Sequence, residues 1–96
     1  MRKTVEYYLL LENKLDLLLQ LLSDKLEQAE KNEIQFFLDA TEYGIAFETL
    51  CAIVSDAKLD LSPHDFSLIL ELAEIMSINR ERWEPLKALI VKAEKP

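Results

Sequence analysis

The chain has 96 residues, half of them apolar, and its 18 acidic and 11 basic side chains give a formal net charge of −7. This length suits one domain with a buried core, so we expect a single domain over residues 1–96. Nucleic acids and anionic membranes attract Lys and Arg, so the acidic balance argues against both as partners and permits a basic protein partner.

The first 22 residues place basic side chains before a leucine run, a pattern also seen in secretory signal peptides. Glu12, Lys14 and Asp16 interrupt the run, and no small-residue cleavage site follows it. No apolar stretch approaches the roughly 20 residues that span a bilayer. We therefore expect a cytoplasmic protein.

Spacings of three and four between apolar residues predict a first helix over about residues 4–22. Additional leucines widen its apolar face, so we expect this helix to be largely buried or to carry a broad apolar stripe. The heptad pattern is too short for a coiled coil. The face consists of Tyr8, Leu11, Leu15, Leu18 and Leu22, widened by Leu9, Leu10, Leu17, Leu19 and Leu21.

The sequence pattern in the middle of the chain predicts two more helices. After the first helix, residues 24–31 fit a loop or a turn of helix, and residues 32–40 fit a helix. Thr41 is the expected N-cap of the next helix, over about residues 42–57. Its apolar face is expected to be Tyr43, Ala46, Phe47, Leu50, Val54 and Ala57.

The clearest boundary in the sequence is the start of the following helix. Ser62 is an N-cap, Pro63 occupies the first helical position, and Asp65 completes a capping box. These signals predict a helix over residues 63 to about 77. Its buried face is expected to be Phe66, Ile69, Leu72, Ala73 and Met76.

The last segment contains a proline that divides it. Pro85 indicates a separate turn at residues 79–84 and a long final helix that begins near residue 84. The face of that helix is expected to be Leu86, Leu89, Ile90 and Ala93. Since no strand is evident, we predict an all-α fold, a compact bundle of four to five short helices.

The sequence offers little catalytic chemistry. Cys51 and His64 are its only cysteine and histidine, so no disulfide within the chain and no cysteine zinc site can form. It has no glycine-rich phosphate loop and no G-x-S-x-G motif. We therefore expect no enzyme activity, no metal and no cofactor. Cys51 is interpreted as a buried thiol, with a Cys51–His64 nucleophile pair as the alternative.

The negative charge is confined to one segment. Residues 39–76 hold eight acidic residues and one basic residue, Lys58, while the rest of the chain sums to zero. A solvated surface would explain this imbalance, and so would an acidic docking face on two helices. The residues that we expect to contact a partner are Glu42, Glu48, Asp56, Asp60, Glu71 and Glu74.

Gly44 is the only glycine in the chain and falls in the first turn of a predicted helix. Glycine inside a helix costs about 1 kcal/mol relative to alanine, although less in the first turn. The missing side chain leaves room for a close neighbour. That neighbour is either another helix of the same domain or a partner.

Three stretches resemble a known family: "EYGIAFETLC", "LDLSPHDFSLILELAEIMSI" and "WEPLK". They are similar to the small helical immunity proteins of bacterial polymorphic-toxin systems, in particular Maf-type immunity proteins and their relatives in contact-dependent growth inhibition. The resemblance covers about residues 41–87. Its pattern, E-Y-G-x-A-x-E-x-L, is matched by Glu42, Tyr43, Gly44, Ala46, Glu48 and Leu50, followed by a helix cap at Ser62 and a tryptophan at Trp83.

The resemblance implies a protein that binds one cognate toxin, often a basic nuclease domain, and blocks it inside the producing cell. An acidic inhibitor is steered to such a toxin by charge. Tyr43 and Trp83 are candidate aromatic anchors, although core packing explains both. The alternative function is a non-enzymatic adaptor or structural module that forms a homodimer through its leucine-rich first helix.

Overall fold

In the computed structural model, which describes residues 4–91, the leucine-rich start of the chain forms helix α1, Val5–Leu22. Thr4 caps this helix, because its side-chain oxygen accepts a hydrogen bond from the Tyr7 backbone N–H at 3.1 Å. The predicted buried face is confirmed at Leu11, Leu15, Leu18 and Leu22.

The buried stripe of α1 is narrower than predicted. Tyr8, expected in the core, is 44% exposed. Leu19 is partly buried, but the other leucines that widen the face are exposed to solvent. The helix is therefore amphipathic with an uncovered apolar flank, which consists of Leu9, Leu10, Leu17 and Leu21.

Helix α2 runs Gln28–Asp39 without interruption, after a 3₁₀ turn at Ser23–Lys25. The predicted start at residue 32 was therefore four residues late. The Glu30 side chain accepts a hydrogen bond from the Glu27 backbone N–H at 2.9 Å and stabilises the first turn. Glutamate is not a favoured N-cap, so the sequence signal was weak here.

The end of α2 corrects the role predicted for Thr41. The Thr41 N–H donates to the Leu38 carbonyl at 3.0 Å and the Glu42 N–H donates to the Phe37 carbonyl at 2.8 Å, which is a Schellman motif. Thr41 has the left-handed φ of 58° that this motif requires. Thr41 thus closes α2, and the N-cap of helix α3, Tyr43–Ala57, is Glu42.

Helix α3 lies at the centre of the bundle. It packs against α2 and α1, and the C-terminal segment covers it from another direction. The predicted face is confirmed except at its last member, because Ala57 is exposed. Cys51 is buried as well. The residues that α3 buries are Tyr43, Ala46, Phe47, Leu50, Cys51 and Val54.

Helix α4, Pro63–Ile75, begins as predicted. The Ser62 side chain accepts from the Asp65 N–H, and the Asp65 carboxylate accepts from the Ser62 N–H, each at 2.9 Å. The helix ends two residues earlier than expected, because Ser77 adopts a φ of 54° and closes another Schellman motif. α4 packs on α1, and Met76 beyond its end is only partly buried.

The C-terminal segment differs from the prediction. A single-turn helix α5, Arg80–Trp83, matches the expected turn, but a 3₁₀ helix, Glu84–Leu89, replaces the long final helix. Pro85 has no N–H for an α-helical ladder, and the chain then becomes extended at Ile90, which forms an isolated parallel bridge with Leu61. Leu86 is fully buried as predicted, whereas Ala93 lies outside the described residues.

These elements confirm the all-α bundle, since residues 4–91 contain helices, turns and one isolated bridge but no strand. Within the same residues, no helix is both long enough and apolar enough to cross a bilayer.

Candidate functional site

The six carboxylates predicted to contact a partner lie on or beside α3 and α4. Glu48 and Asp56 are on α3 and Glu42 is its N-cap, Asp60 is in the connection to α4, and Glu71 and Glu74 are on α4. Five of them are exposed and Glu48 is half-buried. On α4, His64, Ser67, Glu71 and Glu74, spaced by three and four residues, are all exposed and form a polar strip on the outer side of the helix.

Cations from outside the acidic segment partly neutralise it, which the charge count did not anticipate. Lys14 of α1 forms an ion pair with Glu71 at 2.8 Å, and Arg82 of α5 lies 4.0 Å from Glu48. Lys25 donates to the Asp60 backbone carbonyl at 2.6 Å.

The two ion pairs also show that the predicted carboxylates of α3 and α4 border different elements. Glu71 meets α1, whereas Glu48 meets α5. Among the described residues, Glu42, Asp56 and Glu74 form no ion pair. The eighth acidic residue of the segment, Asp65, is buried in its capping box and adds little to the surface.

A groove lined by tyrosines lies where the start of α1 meets the start of α3. Two adjoining cavities of about 410 and 280 Å³ share Tyr8, Thr41 and Tyr43 as lining. We call this feature the tyrosine groove and define it by the six residues Val5, Tyr8, Thr41, Glu42, Tyr43 and Gly44. Sequence analysis singled out Tyr43 and Gly44 but not the groove.

The aromatic rings of the groove differ in their exposure. Tyr43 is 9% exposed, while the Tyr8 ring, centred 6.1 Å from it, is 44% exposed. Tyr7 packs edge-on against Tyr8 at 5.2 Å, and its hydroxyl lies 3.4 Å from the Ile75 carbonyl at the end of α4. Tyr8 is therefore a partly exposed aromatic ring that packs against Tyr7 and lies beside Tyr43.

The groove has a negative electrostatic environment. Burial, followed by the negative charges of Glu12 and Asp16, raises the pKa of Tyr43 above its ordinary value of 10.0. Glu42 lines the groove directly, and its carboxylate makes no capping hydrogen bond to α3. In the part of the chain that the structure describes, Glu12, Asp16 and Glu42 form no ion pair with a cation.

Gly44 has no close neighbour among residues 4–91, which corrects one of the two explanations above. A Cβ placed on Gly44 would meet nothing within 4 Å, and its φ is not positive. Neither helix crossing nor backbone conformation therefore requires glycine at this position. A side chain at residue 44 would enter the open space of the tyrosine groove.

The structure favours the buried-thiol interpretation of Cys51. The side chain is 1% exposed, and burial, with a smaller effect of Glu48, raises the pKa of the thiol to about 12. A thiolate nucleophile is not available at neutral pH. Residues 4–91 contain no group of three His, Cys, Asp or Glu side chains arranged to hold a metal ion.

The protein has two further surface features, a polar cleft and an apolar helix flank. A polar cleft of about 430 Å³ lies between α1 and α2, lined by residues such as Asp16, Gln20 and Lys31. The apolar surface is the uncovered flank of α1. Its members Leu10, Leu17 and Leu21, spaced by seven and four residues, share one side of the helix.

Trp83 packs against the hydrophobic core and is half-buried. Its ring lies 6.2 Å from that of Phe66, and the Arg80 guanidinium lies 5.9 Å from the centre of the indole. These contacts give Trp83 a structural role that is independent of any partner.

No protein-family model matches the chain, and neither does any curated protein or solved structure.

Proposed function

We propose that this chain is a bacterial immunity protein that binds and neutralises a cognate toxin domain, with a basic nuclease domain as its partner. The observation that carries the proposal is the concentration of negative charge: residues 39–76 account for the whole net charge of −7. The resemblance of residues 41–87 to Maf-type immunity proteins adds the toxin as the partner.

The exposure of the acidic side chains supports this proposal. Glu42, Asp56 and Glu74 are exposed and form no ion pair with a Lys or Arg of residues 4–91 that would compete with a toxin Lys or Arg. Charges of this kind steer association with a basic surface and suppress binding to acidic ones. The protein then acts by occupying the toxin rather than by chemistry of its own.

The proposal expects a gene next to that of this chain to encode a toxin domain, and the test is co-expression of that domain with the chain. Cells that produce the toxin domain are expected to survive only when this chain is also present, and the two purified proteins are expected to form a stable complex. Absence of both protection and complex formation would overturn the proposal.

A second candidate function is a homodimeric adaptor module, and one observation favours it. Leu10, Leu17 and Leu21 on one side of α1 are 43%, 44% and 38% exposed, which is high for leucines that share a helix face. Sedimentation equilibrium distinguishes the candidates. A dimer that Leu17→Glu dissociates, with no toxin binding, supports the adaptor, whereas a monomer excludes it.

A further inference from the structure

We propose that the tyrosine groove is the docking site for a basic segment of the protein partner, with an arginine side chain laid over Tyr8 and its guanidinium facing the carboxylate of Glu42. The inference rests on the proposed function, because it names the place where a basic toxin would be held. It also adds Tyr8 to the predicted contact surface. Of the six predicted carboxylates, only Glu42 lines the tyrosine groove.

The shape of the groove supports an occupant from outside the chain. Gly44 lines it, yet the fold makes no use of the missing side chain, since a Cβ would meet nothing within 4 Å. Its φ is not positive, so alanine would fit the same backbone. A residue that weakens a helix and serves no internal contact is best explained by an occupant that lies close to the α3 backbone.

The chemistry of the groove selects a cation. Tyr8 is 44% exposed, and the electron-rich face of a tyrosine ring attracts a cation placed over it. Glu42 at the rim, with Glu12 and Asp16 near Tyr43, adds negative charge, and none of the three carboxylates forms an ion pair with a cation of the described residues. An anionic ligand is repelled here, and a purely apolar one would desolvate the Glu42 carboxylate without a partner.

Arginine fits this arrangement better than lysine. Its guanidinium is planar, so it stacks on a tyrosine ring and donates a pair of hydrogen bonds to a carboxylate at the same time. It is also more weakly hydrated than an ammonium group, which lowers the cost of entering a half-enclosed groove.

The probe for the experiment is the blocked peptide acetyl-Gly-Arg-Gly-Arg-Gly-amide, titrated into the ¹⁵N-labelled full chain at millimolar concentrations. We expect the arginine peptide to shift the amide signals of Tyr8, Thr41 and Gly44. The same peptide with citrulline in place of arginine keeps the planar shape, but a carbonyl oxygen replaces one guanidinium nitrogen, so it lacks the charge and part of the N–H donors, and it is expected to leave those signals unchanged.

Two pairs of variants locate the site. Gly44→Leu fills the groove and is expected to abolish peptide binding, whereas Ala52→Leu adds the same side chain at an exposed position of the same helix and is expected to have no effect. Tyr8→Ala is expected to weaken binding about two- to fivefold, the range of one exposed cation–π contact. Phe36→Ala, which removes an exposed aromatic ring of α2, is its control.

Several results would overturn the inference. Equal binding of the citrulline peptide excludes the cation requirement, and absence of shifts at Tyr8 and Gly44 excludes the site. A gain in peptide affinity when Arg2 and Lys3 are replaced by Gln would identify the chain's own N-terminal residues as the occupant. Shifts of the groove signals with protein concentration alone would identify a second copy.

The peptide titration tests the groove, and complex formation with the toxin domain tests the proposed function, so the two can fail separately. If Gly44→Leu weakens peptide binding but no toxin domain encoded next to this chain forms a complex with it, the groove is an arginine-binding site and the proposed function fails. If the toxin domain binds wild type and Gly44→Leu equally well, the proposed function stands and the groove is not its docking site.

Discussion

Thr41 has a backbone φ of 58°, whereas Gly44, three residues later, has no positive φ. The only glycine of the chain is therefore absent from the left-handed positions that glycine suits best. Two other non-glycine residues, Lys58 and Ser77, have φ values of 52° and 54° where α3 and α4 end in the same motif. Each of these residues holds a conformation that L side chains tolerate poorly.

Replacing Lys58 with glycine is expected to stabilise the fold. The substitution relieves the left-handed strain at the end of α3, for a gain of about 0.5–1 kcal/mol in the free energy of unfolding after the extra entropy of the unfolded glycine is subtracted. Urea denaturation monitored by circular dichroism measures it. Lys58→Ala removes the same side chain without relieving the strain, so equal stability of the two variants would contradict the explanation.

Gly44→Ala is also expected to stabilise the protein, by about 0.4–1 kcal/mol, because the helix gains a residue of higher propensity and no atom lies in its way. From the sequence, a large residue at position 44 is predicted to damage either packing or partner binding. The structure reverses the packing alternative for Gly44→Leu, which should unfold at the wild-type temperature or above. A clear loss of stability would show a close contact that the described residues do not make.

The Ser62–Asp65 capping box supplies a third prediction. Ser62→Ala removes the acceptor for the Asp65 N–H and is expected to cost about 0.5–2 kcal/mol in the free energy of unfolding. Ser67→Ala, in an exposed position of the same helix, is the matched control and is expected to change stability little. If both variants unfold at the same urea concentration, the box does not stabilise α4.

The buried thiol of Cys51 is expected to make the fold less stable in alkali. The pKa of this thiol is near 9 when the chain is unfolded and is raised to about 12 in the fold. Between these pH values the unfolded state therefore binds fewer protons than the folded state. Stability then falls as pH rises through this window, by up to about 1.4 kcal/mol per pH unit from this group. Below pH 9 both states keep the proton and the effect disappears.

Cys51→Ala isolates this contribution, because the tyrosines and lysines that titrate in the same range are unchanged. The variant is expected to be less stable at pH 7, since it leaves a cavity, and to lose less stability between pH 9 and 11 than the wild type. Parallel pH profiles for the two proteins would mean that the thiol ionises equally easily in both states.

Charge steering can be tested with matched variants. Glu42, Asp56 and Glu74 form no ion pair within residues 4–91, and replacing them with Gln, Asn and Gln is expected to slow association with the toxin domain and flatten its salt dependence. The control changes Glu33, Asp24 and Glu81 in the same way and removes the same charge elsewhere on the surface. Stopped-flow measurements at several salt concentrations that show identical slopes would favour an ordinary solvated surface.

Helical periodicity predicted the parts of the fold that depend on local spacing. Leu11 to Leu22 are buried together because residues three and four apart share a helix face, and Ser62 caps α4 through bonds within one turn. The 3₁₀ ending was missed because it depends on the pairing of Ile90 with Leu61, which no local pattern records. Tyr8 was wrongly assigned to the core because its exposure also depends on tertiary packing, which no local pattern records.

The candidate site shows the same limit. The charge count identified exposed carboxylates on α3 and α4, but the cations that approach Glu48 and Glu71 come from α5 and α1. The tyrosine groove joins the first turns of α1 and α3, and only the packing of the two helices creates it. An unexplained Gly44 beside Tyr43 was the one local signal of it.

The pairing of Leu61 also constrains how the protein matures during synthesis. Leu61 is fully buried, and its N–H and carbonyl are bound by the Leu89 carbonyl at 3.0 Å and the Val91 N–H at 2.7 Å. A ribosome that adds 5–20 residues per second needs about 2–6 s to extend the chain from residue 61 to residue 91. During that interval α4 and the C-terminal segment are still being made, and the connection between α3 and α4 lacks its backbone partners, so residues 89–91 complete the hydrogen bonding of a buried residue that was translated about 30 residues earlier.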